Sequence, residues 1–436
     1  MSKIIVENKD NEIYDDENYT SSEDDYSDSD ISSDEERERK NYLNSNKKED
    51  EEKEEEEDED EEYNYKKKKL KAGNKKTISN KKNVDNSKCD KKIKKETKKE
   101  MKVNELLEET DEMGFLISET NKIEKKTDKD FLRENARTEK WIHMLNHFSI
   151  YYNENYNKLK SRTRKGIPDG LRSQVWQIFA KINKFKGQIS YNKIDTNLAN
   201  KKAKDDIEKD INRTFPCCTF FKDYYDGAKI LNRVLLRYSI YNKKVGYAQG
   251  LNFLVASFLL YMNEESAFLM LHSLMVNYGL EYYYKDMKNV NKLLYVFLNL
   301  MKKFIPELYE ILKKKYMFPG TYALQWFLTL FAINLEFKVF VRFLDIFLLE
   351  GEKVIYRFGL GFLKLIEKDM LPLKDSSDFI LIFFDKLYKH KIEDIFKVPF
   401  KFKFTRKHIN KLKKKYEELK KTKTKDEFME QLDEEK

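Results

Sequence analysis

Gly246-Tyr247-Ala248-Gln249-Gly250 runs directly into Leu251-Asn252-Phe253-Leu254-Val255-Ala256-Ser257-Phe258-Leu259-Leu260-Tyr261-Met262. In the second of these segments Leu251, Leu254, Val255, Phe258, Leu259 and Met262 recur at helical spacing, a stripe of period 3.6 and not the alternation of a strand. Two glycines bracket Tyr247-Ala248-Gln249, and Gly250 opens the stripe. Gln249 is therefore expected at a helix N-terminus, where the helix dipole favours a negatively charged partner.

The same periodicity extends in both directions. Ile230, Leu231, Val234, Leu235, Tyr238 and Tyr241 form one stripe; Val339, Phe340, Phe343, Leu344, Phe347 and Leu348 form another. Turn signals separate the stripes: Gly166-Ile167-Pro168, Pro216, Gly246, Pro319-Gly320, Gly351, Pro372 and Pro399. Sustained strand patterns are absent. The expected fold is all-α, a globular domain of many helices joined by short loops.

Composition divides the chain. The hydrophobic fraction of 40% and the charged fraction of 37% average over two unlike parts. Glu49–Glu62 is acidic at every position except Lys53, and lysine runs follow from Tyr65 to Lys99. Such blocks repel themselves and stay solvated. Residues 1–125 are thus expected to be a disordered, low-complexity acidic and basic arm. Residues 131–400 hold the foldable domain, since six prolines and eleven of the thirteen glycines lie from Gly166 onward with most of the apolar stripes. Residues 401–436 read as a charged C-terminal helix or tail, with Ile409, Leu412, Tyr416 and Leu419 as its weak apolar stripe.

Several function classes are excluded. Net charge is +8, but the acidic block would compete for the lysine tract, so nucleic acid is not an expected partner. Cys89, Cys217 and Cys218 form no CxxC, which suits a reducing compartment. His143 and His147 stand four apart without the neighbouring Glu or third ligand of a zinc site, and no metal is expected. The opening residues MSKIIVENKD lack an apolar secretory core. The most apolar run, Trp326–Leu349, is broken by Glu336, Lys338, Arg342 and Asp345. A cytoplasmic protein is expected, touching membranes peripherally or through a partner. There is no phosphate loop, kinase signature or nucleophile elbow, so no independent active site is expected.

The chemistry then falls on two short segments. In Ile207-Glu208-Lys209-Asp210-Ile211-Asn212-Arg213-Thr214-Phe215-Pro216, Asp210 and Arg213 are three apart and share a helix face. The carboxylate can fix the guanidinium for an anionic partner, or the two can be a plain surface ion pair. Pro216 is expected to end the element. Gln249 can orient a water or cap its helix.

Taken together these segments resemble the TBC domain family, GTPase-activating proteins for Rab GTPases. Arg164-Lys165-Gly166-Ile167-Pro168-Asp169-Gly170-Leu171-Arg172 with Val175-Trp176 resembles the family's opening motif, and Lys140-Trp141 its lead-in helix. Ile207–Pro216 resembles the arginine-finger motif IxxDxxRTxP, and Val245–Asn252 the glutamine-finger motif YxQG. Trp326–Phe331, Asp345 and Glu350-Gly351 resemble the later segment. Leu344 and Glu336 depart from the family's usual Trp and Pro.

The resemblance implies a GTPase activator and not an enzyme in its own right. Arg213 and Gln249 would be the catalytic pair, supplied in trans to a Rab-type small GTPase in its GTP state. Asp210 would orient Arg213, with support from Tyr247 and Gly250. Arg172, Trp176, Trp326 and Asp345 would be scaffold. No cofactor is implied for this chain, because the partner carries GTP and magnesium. A non-catalytic Rab-binding scaffold or adaptor in membrane trafficking is the alternative.

Overall fold

The computed structural model describes residues 110–116, 127–222, 226–370 and 376–422. The charged arm up to 109, Cys89, Pro372 and the tail beyond 422 lie outside the described residues. Every regular element described is helical. The β pairing among these residues is two isolated bridges, Thr110–Leu116 and Phe115–Cys218.

The helices in chain order are α1 (Asp128–Asn146), α2 (Phe148–Asn153), α3 (Tyr156–Lys165), α4 (Asp169–Phe179), α5 (Lys201–Ile211), α6 (Gly227–Tyr241), α7 (Leu251–Leu259), α8 (Glu264–Val276) and α9 (Glu281–Lys285). The second half comprises α10 (Val290–Phe304), α11 (Pro306–Lys314), α12 (Pro319–Tyr322), α13 (Leu324–Thr329), α14 (Phe337–Glu350), α15 (Lys353–Met370), α16 (Ser376–Leu387), α17 (Ile392–Lys397) and α18 (Arg406–Thr422).

Local chemistry sets their starts. Thr127 accepts from Asp130 N while Asp130 accepts from Thr127 N, a reciprocal cap on α1. Asn200 accepts from Ala203 N at 2.7 Å to begin α5, and Asn263 accepts from Ser266 N at 2.9 Å to begin α8. Pro306 occupies the first turn of α11, where its missing N–H has no intrahelical partner to lose.

Helix α7 is buried on nearly every side. Leu251, Asn252 and every residue from Leu254 to Leu259 are buried, because α6 and α8 pack along it and α5 and α13 touch it. That central burial fixes where α7 begins, and with it the position of Gln249.

The entry to the domain is tied by one carboxylate. Asp345 on α14 has no solvent exposure. It accepts from Arg172 Nε at 3.0 Å, from Trp176 Nε1 at 2.7 Å and from Ile167 N at 3.3 Å. Arg172 Nη2 also donates to Ile167 O at 2.8 Å. Burial alone would favour a neutral guanidinium, but Asp345, Tyr261 and Asp169 outweigh it and hold the Arg172 pKa above its ordinary value. Arg164 and Glu350 add a bidentate pair, both bonds 2.7 Å, between α3 and the end of α14. Trp326 is buried among Phe297, Tyr322, Phe331 and Phe383.

One expected boundary moves. Residues 110–116, assigned above to the arm, are seated against Cys217–Thr219, because a short aspartate-built turn there supplies backbone partners that charge counting does not register. Of the helix or tail expected beyond 400, a docked helix is described as far as Thr422: α18 buries Ile409 and Tyr416 against α10, and Lys413 bonds Glu352 at 2.6 Å.

Arg172→Ala should destabilise the domain by about 3–5 kcal/mol, since it strands a buried charge at Asp345. Adding Asp345→Asn should recover part of that loss, because the charge goes while an acceptor for Trp176 remains. Denaturant melts of the three proteins check both statements; equal stability of the single variant and wild type would refute them.

Candidate functional site

Helix α5 delivers the first half of the site. Ala203, Ile207 and Asp210 form its buried face, and the helix ends at Ile211. The ending comes five residues before Pro216. Beyond it the Thr214 hydroxyl donates to Asp210 O at 2.7 Å, and Phe215 takes a left-handed φ of 42°. Arg213 follows the last turn and is 48% exposed, whereas Asp210 is 10% exposed. Arg213 Nε donates to Asp210 Oδ1 at 2.9 Å, and Nη2 lies 2.7 Å from the same oxygen in an ion pair.

The second half comes from the loop before α7. Tyr247 reaches back to α5 and donates its hydroxyl to Asp210 Oδ2 at 2.5 Å. Burial, then this bond to a carboxylate, hold the Tyr247 phenol pKa well above its usual value, so it stays a donor. Asp210 therefore has one oxygen on Arg213 and the other on Tyr247.

Gln249 is exposed at the start of α7. Its carboxamide oxygen, assigned from the hydrogen bonds open to it, accepts from Arg213 Nη1 at 3.0 Å and also from Nη2. Two residues 36 positions apart thus meet on one patch of surface. Gly250 lies behind them at φ +103°, and a Cβ there would come within 2.6 Å of Thr329 Cγ2.

The site brings together all five residues singled out in the sequence: Arg213, Gln249, Asp210, Tyr247 and Gly250. It also contains residues given no role there. Asn252 Nδ2 donates to Thr214 Oγ1 at 2.8 Å, and Asn252 Oδ1 accepts from Gly250 N at 3.1 Å. One buried amide joins the end of the Arg213 segment to the end of the Gln249 segment. The signal for it was a lone Asn in the first turn of an otherwise apolar helix.

Chemically the patch offers a guanidinium held by a carboxylate and an adjacent amide, both open to solvent. Among the described residues no group of His, Cys, Asp or Glu could hold a metal ion.

The model of the Rab-GTPase-TBC domain matches residues 169–371, a span that includes every residue of this site. Residues 169–371 form a Rab-GTPase-TBC domain. The chain is 33% identical over 228 residues to TBC1 domain family member whacked of Drosophila melanogaster, which covers 52% of this chain and 63% of that protein. It is 34% identical over 238 residues to Rab GTPase-activating protein tbc-11 of Caenorhabditis elegans, covering 50% of this chain and 25% of that one. The chain thus spans between a quarter and two thirds of the length of these relatives. In structure it is similar to the Chlamydomonas flagellar RabGAP TBC domain, with a TM-score of 0.54, 26% identity, and coverage of 67% of this chain and 99% of that one. The TBC domain is all-helical in this chain, and among its described residues no helix is long and apolar enough to cross a membrane.

Gly250→Ala should destabilise the domain, through about 1–2 kcal/mol of left-handed backbone cost and through the clash with Thr329. Adding Thr329→Ser removes the clash and leaves the backbone cost. Thermal melts should rank wild type above the double variant and the double variant above Gly250→Ala; the same melting temperature for all three would refute the packing described.

Proposed function

We propose that this protein accelerates GTP hydrolysis by a Rab-type small GTPase, supplying Arg213 and Gln249 in trans. The observation that carries the reading is the exposed contact between the Gln249 carboxamide and the Arg213 guanidinium, 3.0 Å across, on the surface of the TBC domain. Phosphoryl transfer needs positioning and charge neutralisation more than covalent help. A planar guanidinium can meet the charge that builds on the transferring phosphate, and an amide beside it can orient the attacking water.

Asp210 orients the guanidinium from behind and Tyr247 orients Asp210. Neither need touch the nucleotide. The GTPase partner brings GTP and magnesium, so this chain needs no cofactor of its own. It is a GTPase activator working from the cytoplasm, peripheral on endomembranes by way of its partner. That the C. elegans relative is named a Rab GTPase-activating protein supports the reading.

The test is GTP hydrolysis by a panel of purified Rab GTPases with and without the protein. An arginine finger is worth about 10³–10⁵ in rate, or about 4–7 kcal/mol. Arg213→Ala should remove that acceleration with the melting temperature unchanged. Arg213→Lys should fail nearly as badly, since an ammonium lacks the planar fork. Binding of Rab–GTP with no acceleration of any member would instead indicate a scaffold.

Gln249 is tested through the partner. If Gln249 places the water, the responsive Rab should still be stimulated after its own switch glutamine is changed to Ala. Gln249→Ala and Gln249→Asn should then fail on both versions of the Rab. A fully resistant partner variant, together with an active Gln249→Ala on the normal Rab, would leave Gln249 a structural role only.

A further inference from the structure

The segment after Arg213 is held by a distant part of the chain. Asp111 organises a tight turn: its Oδ1 accepts from Met113 N and Phe115 N, both at 3.0 Å, and its carbonyl accepts from Gly114 N at 2.9 Å. Gly114 sits at φ +80°, where a Cβ would lie 2.9 Å from Thr219 Oγ1. The turn then lies antiparallel against the chain beyond Arg213. Leu116 N donates to Cys217 O at 2.8 Å, and Thr219 N donates to Gly114 O at 2.8 Å.

Phe115 is the side chain that joins this turn to the Arg213 segment. Its ring stacks on Phe337 at 4.7 Å and meets the edge of Phe215 at 5.7 Å. Phe215 stands two residues after Arg213 in a left-handed conformation that a bulky residue adopts only when its surroundings impose it. Those surroundings are the rings of Phe115, Phe221, Phe253 and Phe337. Cys218, beneath the turn, is fully buried although Cys217 beside it is exposed.

The Arg213 segment therefore has two anchors. Asp210, Thr214 and Asn252 fix its start; Phe115 and the turn fix its end. Loss of the second leaves Arg213 on a segment tethered at one side. We propose that Phe115, presented by the turn Asp111–Leu116, is a positioning residue for Arg213. The proposal rests on Arg213 acting as described above. It also assigns a role to a stretch far upstream of the finger: whatever engages the chain near residue 110 acts on the presentation of Arg213.

The test uses the full chain carrying Cys217→Ser, so that alkylation of Cys218 can be followed by peptide mass spectrometry. Phe115→Ala should lower kcat for hydrolysis by the responsive Rab about tenfold or more, since small displacements of a reacting group cost up to ~10²-fold. KM should stay within twofold and the melting temperature should hold. Phe115→Tyr, which keeps the ring, should restore kcat. Cys218 should alkylate at least tenfold faster in Phe115→Ala than in the parent. Unchanged kcat with unchanged Cys218 reactivity overturns the proposal. So does a parallel fall of kcat and melting temperature that Phe115→Tyr leaves uncorrected, which makes Phe115 a packing residue alone. If the parent chain accelerates no Rab, the functional reading fails by itself; the alkylation rate still decides whether Phe115 holds the segment.

Discussion

A carboxylate shut away from water has to have its charge met by its neighbours, and Asp345 meets that requirement with Arg172, Trp176 and the Ile167 amide. Each of those partners sits at the entry to the domain, on α4 or the turn before it, while Asp345 lies on α14, some 170 positions later. Pairing them correctly is a condition for closing the core at all. A misregistered α14 would bury a bare charge, at a cost of several kcal/mol.

Asp210 solves a related problem with one side left open. It is mostly buried, and its two oxygens are divided between Arg213 and Tyr247. Its own carbonyl accepts from Thr214, whose hydroxyl in turn accepts from Asn252. Under the proposed function the same arrangement that ties Asp345 into the core makes Asp210 an orienting residue, because its guanidinium partner faces solvent instead of core. Burial of the partner, not the pair itself, separates the two roles.

Much of this was legible in the sequence. The stripes through Ile230–Tyr241 and Leu251–Met262 state helices because 3.6-residue recurrence has no other economical reading. Asp210 and Arg213 could be paired on paper because i, i+3 neighbours share a face. What the local patterns did not give was which residues distant in sequence would meet, although the family resemblance set Arg213 and Gln249 at one site with Asp210 and Tyr247. The contact of Gln249 with Arg213, the reach of Tyr247 to Asp210 and the amide of Asn252 on Thr214 all depend on how α5 and α7 are set against each other, which no local pattern encodes. The turn at Asp111–Leu116 was missed for another reason: a few residues of turn chemistry at the end of a long charged tract carry little weight in any composition average. Pro216 was assigned the end of α5, but the helix stops at Ile211, five residues before it.

Helix α18 carries a consequence for how the molecule comes apart. Its fully buried side chains are Ile409 and Tyr416, two turns apart, with Leu412 partly buried between them and Tyr416 against Tyr295. Around them stand the ion pairs Lys413–Glu352 and Lys292–Glu417, whose carboxylates are partly open to solvent. Raising the ionic strength screens those pairs and leaves the apolar anchors untouched. The helix should therefore stay docked in concentrated salt. Amide hydrogen exchange should be slowest between its two anchors and fastest toward Thr422, a gradient of local opening within one element of an otherwise cooperative core.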